Sequence, residues 1–140
     1  MNKLSSIGKL HHIGMITKNV RNQIMLFESL FGEGESKITD LPEEESVMGE
    51  LTINGTMYQL WQANGEKSPA WEASKRLPEG GLHHLCYLVE DLDTALEQVQ
   101  NLGIRKSFQE NVVMKNGDKM NFLKEEDCGG ISIELWQNKK

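Results

Sequence analysis

Leu82-His83-His84-Leu85-Cys86-Tyr87-Leu88-Val89 and its near-copy Leu10-His11-His12-Ile13-Gly14-Met15-Ile16-Thr17 decide how this chain is read. All four histidines sit in these two doublets. Each doublet opens a segment whose faces alternate, the period of a strand, and each segment runs into apolar residues at helical spacing. A second pair of copies lies further along: Gln59-Leu60-Trp61-Gln62 and Glu134-Leu135-Trp136-Gln137. The small difference in spacing is what unequal loops give, so the chain reads as one supersecondary unit used twice.

Working outward from the first copy, Asn19 is placed to cap a helix from Val20 to about Phe31, ended by Gly32 and Gly34. A short strand near residues 36–41 follows. Val47 to Ile53 and Thr56 to Gln62 are strand-like runs joined by Asn54-Gly55, the dipeptide that favours a two-residue type I′ hairpin. That turn pairs Ile53 with Thr56, Leu51 with Tyr58 and Glu50 with Gln59. Residues 63–81 read as a linker, with Ser68 capping a short helix that has Pro69 at its first position and runs through Arg76. Pro78-Glu79-Gly80-Gly81 breaks it. In the second copy, Asp91 or Asp93 caps a helix carrying Leu92, Leu96, Val99 and Leu102 and ended by Gly103. Ile104 to Gln109 and Lys119 to Lys124 are expected strands, with a turn at Asn116-Gly117-Asp118. Cys128-Gly129-Gly130 turns into a last strand, Ile131 to Gln137. The expectation is one α+β domain over residues 1–140, with two tandem βαβββ modules at 10–62 and 82–137.

Composition narrows the partners. With 140 residues, 38% of them hydrophobic and 26% charged, the chain has the make-up of an ordinary globular domain. Two cysteines are too few for a disulfide framework. No stretch has the apolar length of a signal peptide or a membrane span, so a cytoplasmic protein with no membrane partner is expected. A net charge of −6 argues against a nucleic-acid partner. It leaves room for a small-molecule substrate.

Strand parity assigns the repeated positions. His12 shares a face with Gly14 and Ile16, His84 with Cys86 and Leu88, Gln59 with Trp61, and Glu134 with Trp136. The opposite faces (Ile13 and Met15, Leu85, Tyr87 and Val89, Tyr58 and Leu60, Ile133 and Leu135) are apolar and suit helix packing. His12, Gln59, His84 and Glu134 therefore point away from the helices, toward an inner face. Two imidazoles, an amide oxygen and a carboxylate suit one divalent first-row metal ion, Co2+, Mn2+, Ni2+ or Zn2+, with positions left open. His11 and His83 fall on the other face and read as hydrogen-bonding strand-edge residues. Trp61 and Trp136 are candidate pocket walls. Cys86 either lines the pocket or is a buried, inert thiol. Glu50, across from Gln59, is either a general base beside a metal ligand or an exposed edge-strand glutamate. A three-residue loop would reverse its parity and remove it from the site. The chain has neither a phosphate-cradling glycine loop nor a nucleophile elbow.

The paired modules, with His12-Ile13-Gly14, Gln59-Leu60, Gly81-Leu82-His83-His84-Leu85 and Gly130-Ile131-Ser132-Ile133-Glu134-Leu135, resemble the vicinal oxygen chelate superfamily, or glyoxalase fold. Its methylmalonyl-CoA epimerase branch is the nearest in pattern, through Val89-Glu90-Asp91 and the stretch from Phe122 to Leu135. The resemblance implies a curved eight-stranded mixed sheet around a metal held by His12, Gln59, His84 and Glu134. It also implies proton abstraction beside a thioester carbonyl, with metal stabilisation of the enolate. Glu134 and Glu50 would move the proton, and Lys75 and Arg76 would meet the phosphates of an acyl-CoA. A homodimer is expected. Two departures stand out: the family's third-strand glutamate aligns by counting to Gly49, with Glu50 one residue on, and its His-Pro is Lys124-Glu125 here. The same fold also serves glyoxalase I-type lyases of small thiol adducts and antibiotic-type binding proteins. Gln59, where glyoxalase I usually has glutamate, counts against the lyase.

Overall fold

A computed structural model describes residues 6–140 of the chain. Among them the elements run β1 (Ile7–Ile16), α1 (Val20–Phe31), β2 (Glu35–Leu41), β3 (Ser46–Ile53), β4 (Thr56–Ala63), α2 (Trp71–Arg76), β5 (Gly81–Val89), α3 (Leu92–Asn101), β6 (Val112–Val113), β7 (Lys119–Leu123) and β8 (Ile133–Gln137). The strands form one eight-stranded sheet in the order β2-β3-β4-β1-β5-β8-β7-β6. It is mixed: β1 with β4 and β5 with β8 are parallel, and the hairpins are antiparallel. The two βαβββ modules expected from the repeat are both present. The chain packs as two compact units, residues 12–83 and residues 84–140 with the start of β1.

In the unit of residues 12–83, the Asn19 side chain accepts the Asn22 amide at 2.9 Å and starts α1 as expected. Val20 and Ile24 of α1 bury against Val47, Leu51, Ile53 and Leu60, with Met15, Phe27 and Tyr58 around them. A buried aliphatic side chain of this kind contributes about 1.5–3 kcal/mol. Asn54 and Gly55 both have positive φ, 52° and 81°, as a type I′ turn requires. The register then pairs Ile53 with Thr56, Leu51 with Tyr58 and Glu50 with Gln59. Ser68 does not cap α2, which begins only at Trp71. Its hydroxyl accepts the Ala70 amide at 3.1 Å and pairs at 2.6 Å with Ser46, holding a turn ahead of the helix.

In the other unit, Asp91 rather than Asp93 caps α3, and the Thr94 hydroxyl holds its carboxyl below the usual range. Leu92, Ala95, Leu96 and Val99 of α3 bury against Val89, Leu123 and Leu135. Residues 104–109 are not a strand. They make one bridge, Lys106 to Leu123, and a short strand appears instead at Val112–Val113. The last strand starts at Ile133, because the Ile131 amide still closes the preceding turn onto the Cys128 carbonyl.

The repeat also marks a fold device. Gln62 and Gln137, closing the two Leu-Trp-Gln copies, each accept the first amide of a helix: Val20 at 2.9 Å and Leu92 at 2.7 Å. A side chain from the sheet thus satisfies a helix amide with no partner inside its own helix. Gln137→Ala is expected to lower the unfolding free energy by about 1 kcal/mol in chemical denaturation, with Gln137→Glu keeping most of it. Among the described residues no helix is long and apolar enough to cross a membrane.

Candidate active site

In the unit of residues 12–83, His12, Gln59 and Glu50 come from the neighbouring strands β1, β4 and β3. Gly14 of β1, Gln59 of β4, Glu50 of β3 and Lys37 of β2 lie in one register row. Directly paired residues point to the same side of a sheet, so Glu50 shares the face of Gln59. Position 49 cannot take that role. Gly49 faces α1, and a Cβ there would lie 2.5 Å from a Val20 methyl. The glycine allows α1 to approach, and the carboxylate one residue on is turned to the opposite face.

His12, two residues before Gly14, is 1% exposed. The Trp61 indole N–H donates to Gln59 Oε1 at 3.0 Å, which identifies that atom as the oxygen and fixes its direction. Trp61 thus orients the amide. It also packs with Ile16 against Ala70 and Ala73, so α2 sits on the Gln59 face. Lys75 and Arg76 occupy the last turn of that helix. Lys75 is drawn to Glu72 at 3.2 Å and lies over the Trp71 ring.

In the second unit the corresponding row is Cys86, Glu134 and Phe122, on β5, β8 and β7. His84 Nε2 and Glu134 Oε1 stand 3.3 Å apart with both side chains 5% exposed. The Phe122 ring meets His84 edge-on at 5.4 Å. Burial pushes the Cys86 thiol far up, and the Glu134 charge and hydrogen bond add to this. Burial and the neighbouring carboxylate thus favour the protonated thiol over the thiolate. Trp136 donates its indole N–H to Asp118 at 3.1 Å. The Lys139 amide, then Trp136 and Asn116, hold the Asp118 carboxyl below its usual range. The His11 ring lies parallel to Trp136 at 6.3 Å, so this histidine braces the tryptophan.

The donors suit a metal. In one unit a buried imidazole nitrogen and carboxylate oxygen lie side by side. In the other, a buried imidazole shares a face with an oriented amide oxygen. Such an N/O set fits a first-row divalent ion. Reasoning from the sequence missed Phe122, Phe108 and Asn121 as neighbours of this chemistry. The one signal was a lone asparagine inside the apolar run Met120-Asn121-Phe122-Leu123.

Residues 11–122 match the model of a family described as the Glyoxalase/Bleomycin resistance protein/Dioxygenase superfamily. The human mitochondrial methylmalonyl-CoA epimerase is 25% identical over 132 residues, covering 94% of this chain and 75% of that protein. The ethylmalonyl-CoA/methylmalonyl-CoA epimerase of Cereibacter sphaeroides is 27% identical over 132 residues, covering 94% of this chain and 98% of that one. Among solved structures, methylmalonyl-CoA epimerase from Mycobacterium tuberculosis superposes with a TM-score of 0.81 at 20% identity, covering 100% of this chain and 94% of the other. A Streptomyces coelicolor methylmalonyl-CoA epimerase variant in complex with 2-nitronate-propionyl-CoA gives 0.78 at 22% identity, covering 96% of this chain and 100% of that chain.

Proposed function

Since the chain belongs to the Glyoxalase/Bleomycin resistance protein/Dioxygenase superfamily, we propose that it is a metal-dependent epimerase of a 2-alkylmalonyl-CoA thioester, with the methyl-branched compound as substrate. The observation that carries this reading is the register pair of Glu50 and Gln59. It places a carboxylate beside a proposed metal ligand, on the face turned away from α1. Relatives named for this activity over nearly the whole chain support the same substrate class.

His12, Gln59, His84 and Glu134 are the residues we assign to the metal. When bound, a divalent ion supplies Lewis-acid stabilisation of the charge that develops on the carbonyl oxygen. The chain's own groups do the rest. One carboxylate of the pair Glu50 and Glu134 takes the proton from C2, and the conjugate acid of the other returns a proton to the opposite face of that carbon. Configuration is inverted and no bond other than C2–H is broken. Trp61 keeps the Gln59 oxygen aimed, and the neutral Cys86 thiol stays out of the chemistry. Lys75 and Arg76, on a helix packed against the Gln59 face, are the cations assigned to the coenzyme A phosphates. The working form is a cytoplasmic homodimer, a reading supported by the exposed apolar side chains Met25, Leu26 and Leu30 on α1.

The test is deuterium incorporation at C2 of methylmalonyl-CoA in D2O with divalent metal supplied. Exchange at C2 accompanied by formation of the other epimer is the expected result. A metal-replete protein that exchanges nothing would reject this substrate class.

A further inference from the structure

Residues 105–107 run beside β7: Lys106 bridges Leu123, and the Ser107 amide donates to the Phe122 carbonyl at 2.6 Å. At Phe108 the backbone ladder stops and a side chain takes it over. Asn121, fully buried, accepts the Phe108 amide through Oδ1 at 3.1 Å. Its Nδ2 donates to the Phe108 carbonyl and to Asn111 Oδ1, both at 2.9 Å. One carboxamide thus supplies the donor and the acceptor that a neighbouring strand would have given. A buried amide is costly unless its hydrogen bonds are met, and here one donor and one acceptor are spent on the same loop residue.

What the clamp holds is the Phe108 ring. It meets Phe122 edge-on at 6.0 Å, and Phe122 meets His84 in the same way at 5.4 Å. Phe122 is also the direct register partner of Glu134. Phe108 itself is 43% exposed. An apolar step therefore leads from solvent, over two phenyl rings, to the buried pair of His84 and Glu134.

We propose that Phe108 determines which alkyl branch the protein accepts at C2, and that Asn121 is the positioning residue that holds it in place. The inference rests on the epimerase reading. A carbon whose proton exchanges with Glu134 carries two oxygen-bearing substituents and one alkyl branch. The branch is the apolar part, and the apolar surface flanking Glu134 on its β7 side is Phe122 backed by Phe108. The ligand class is a malonyl-CoA thioester with a short C2 alkyl group, Phe108 setting how long that group can be.

The experiment compares wild-type holoenzyme with Phe108→Ala, Phe108→Trp and Asn121→Ala. C2 exchange gives the ratio of kcat/KM for ethyl- over methyl-branched malonyl-CoA, and calorimetry gives the affinities of butyryl-CoA, propionyl-CoA and free coenzyme A. One methylene in an apolar pocket discriminates by about 10–200-fold. Phe108→Ala is therefore expected to raise the ethyl preference about tenfold, and Phe108→Trp to lower it, with free coenzyme A bound alike by all. Asn121→Ala reproduces the Phe108→Ala ratio through a loop left unclamped. Should Asn121→Ala not fold, the Phe108 variants carry the test, because that ring is half-exposed. Ratios that do not move in either Phe108 variant overturn the inference alone. A wild-type protein that neither exchanges nor binds any acyl-CoA overturns the epimerase reading, and this inference with it.

Discussion

Replacing His84 with alanine is expected to abolish divalent-metal uptake and, with it, exchange at C2. His84 is buried, and its Nε2 stands 3.3 Å from Glu134 Oε1, so the substitution removes a nitrogen from the side of the carboxylate assigned to the metal. Losing an outer-shell partner of a metal ligand costs about 10–100-fold in affinity, so losing a ligand is expected to cost more than about 100-fold. Equilibrium dialysis against Mn2+, Co2+, Ni2+ and Zn2+, followed by metal analysis, measures this directly. His83→Ala is the control, because the neighbouring histidine is assigned no metal role. The same substitution takes a buried neighbour from Glu134 and a ring contact from Phe122. A stability loss of about 1–3 kcal/mol is expected alongside, so uptake is compared well below the unfolding transition. Uptake equal to that of the wild type would mean that the ligand set is wrong.

Glu50→Gln is expected to separate proton transfer from metal binding. The side chain is half-buried, lies between Gln59 and Lys37 in register, and faces away from α1. The replacement has the same shape and keeps a polar group there, so unfolding free energy should change by no more than about 0.5 kcal/mol. Metal uptake should match the wild type, because Glu50 is not one of the proposed ligands. Exchange at C2 under saturating metal should fall by about 10²–10⁴-fold, the usual contribution of a positioned acid or base. A variant that exchanges at the wild-type rate would return Glu50 to an ordinary glutamate of β3 and require another proton carrier.

Much of this geometry was legible because it depends on local chemistry. Asn54-Gly55 selects a two-residue turn whose two residues both take positive φ. That settles the parity of β3 and turns Glu50, not Gly49, to the Gln59 face. Asn19 and Asp91 cap because short polar side chains reach the free amides of the next turn. Two expectations failed where a distant group offered a better partner. Ser68 pairs with Ser46 rather than opening α2. Residues 104–109 leave the ladder because Asn121, more than a dozen positions on, takes over the Phe108 backbone.

By itself the sequence determined the two modules, their helix-facing and helix-averted strand faces, and the four repeated positions that we propose as metal ligands. The faces follow from strand parity and a turn, which act over a few residues, and the modules and repeated positions from the internal repeat. Only the tertiary structure decided what surrounds them: the 3.3 Å approach of His84 to Glu134, the neutral Cys86 beside that carboxylate, and the phenyl rings of Phe122 and Phe108 on its other flank. These depend on the register between strands that lie far apart along the chain. No local pattern encodes that register, because it is set when the strands pair and bury their apolar faces.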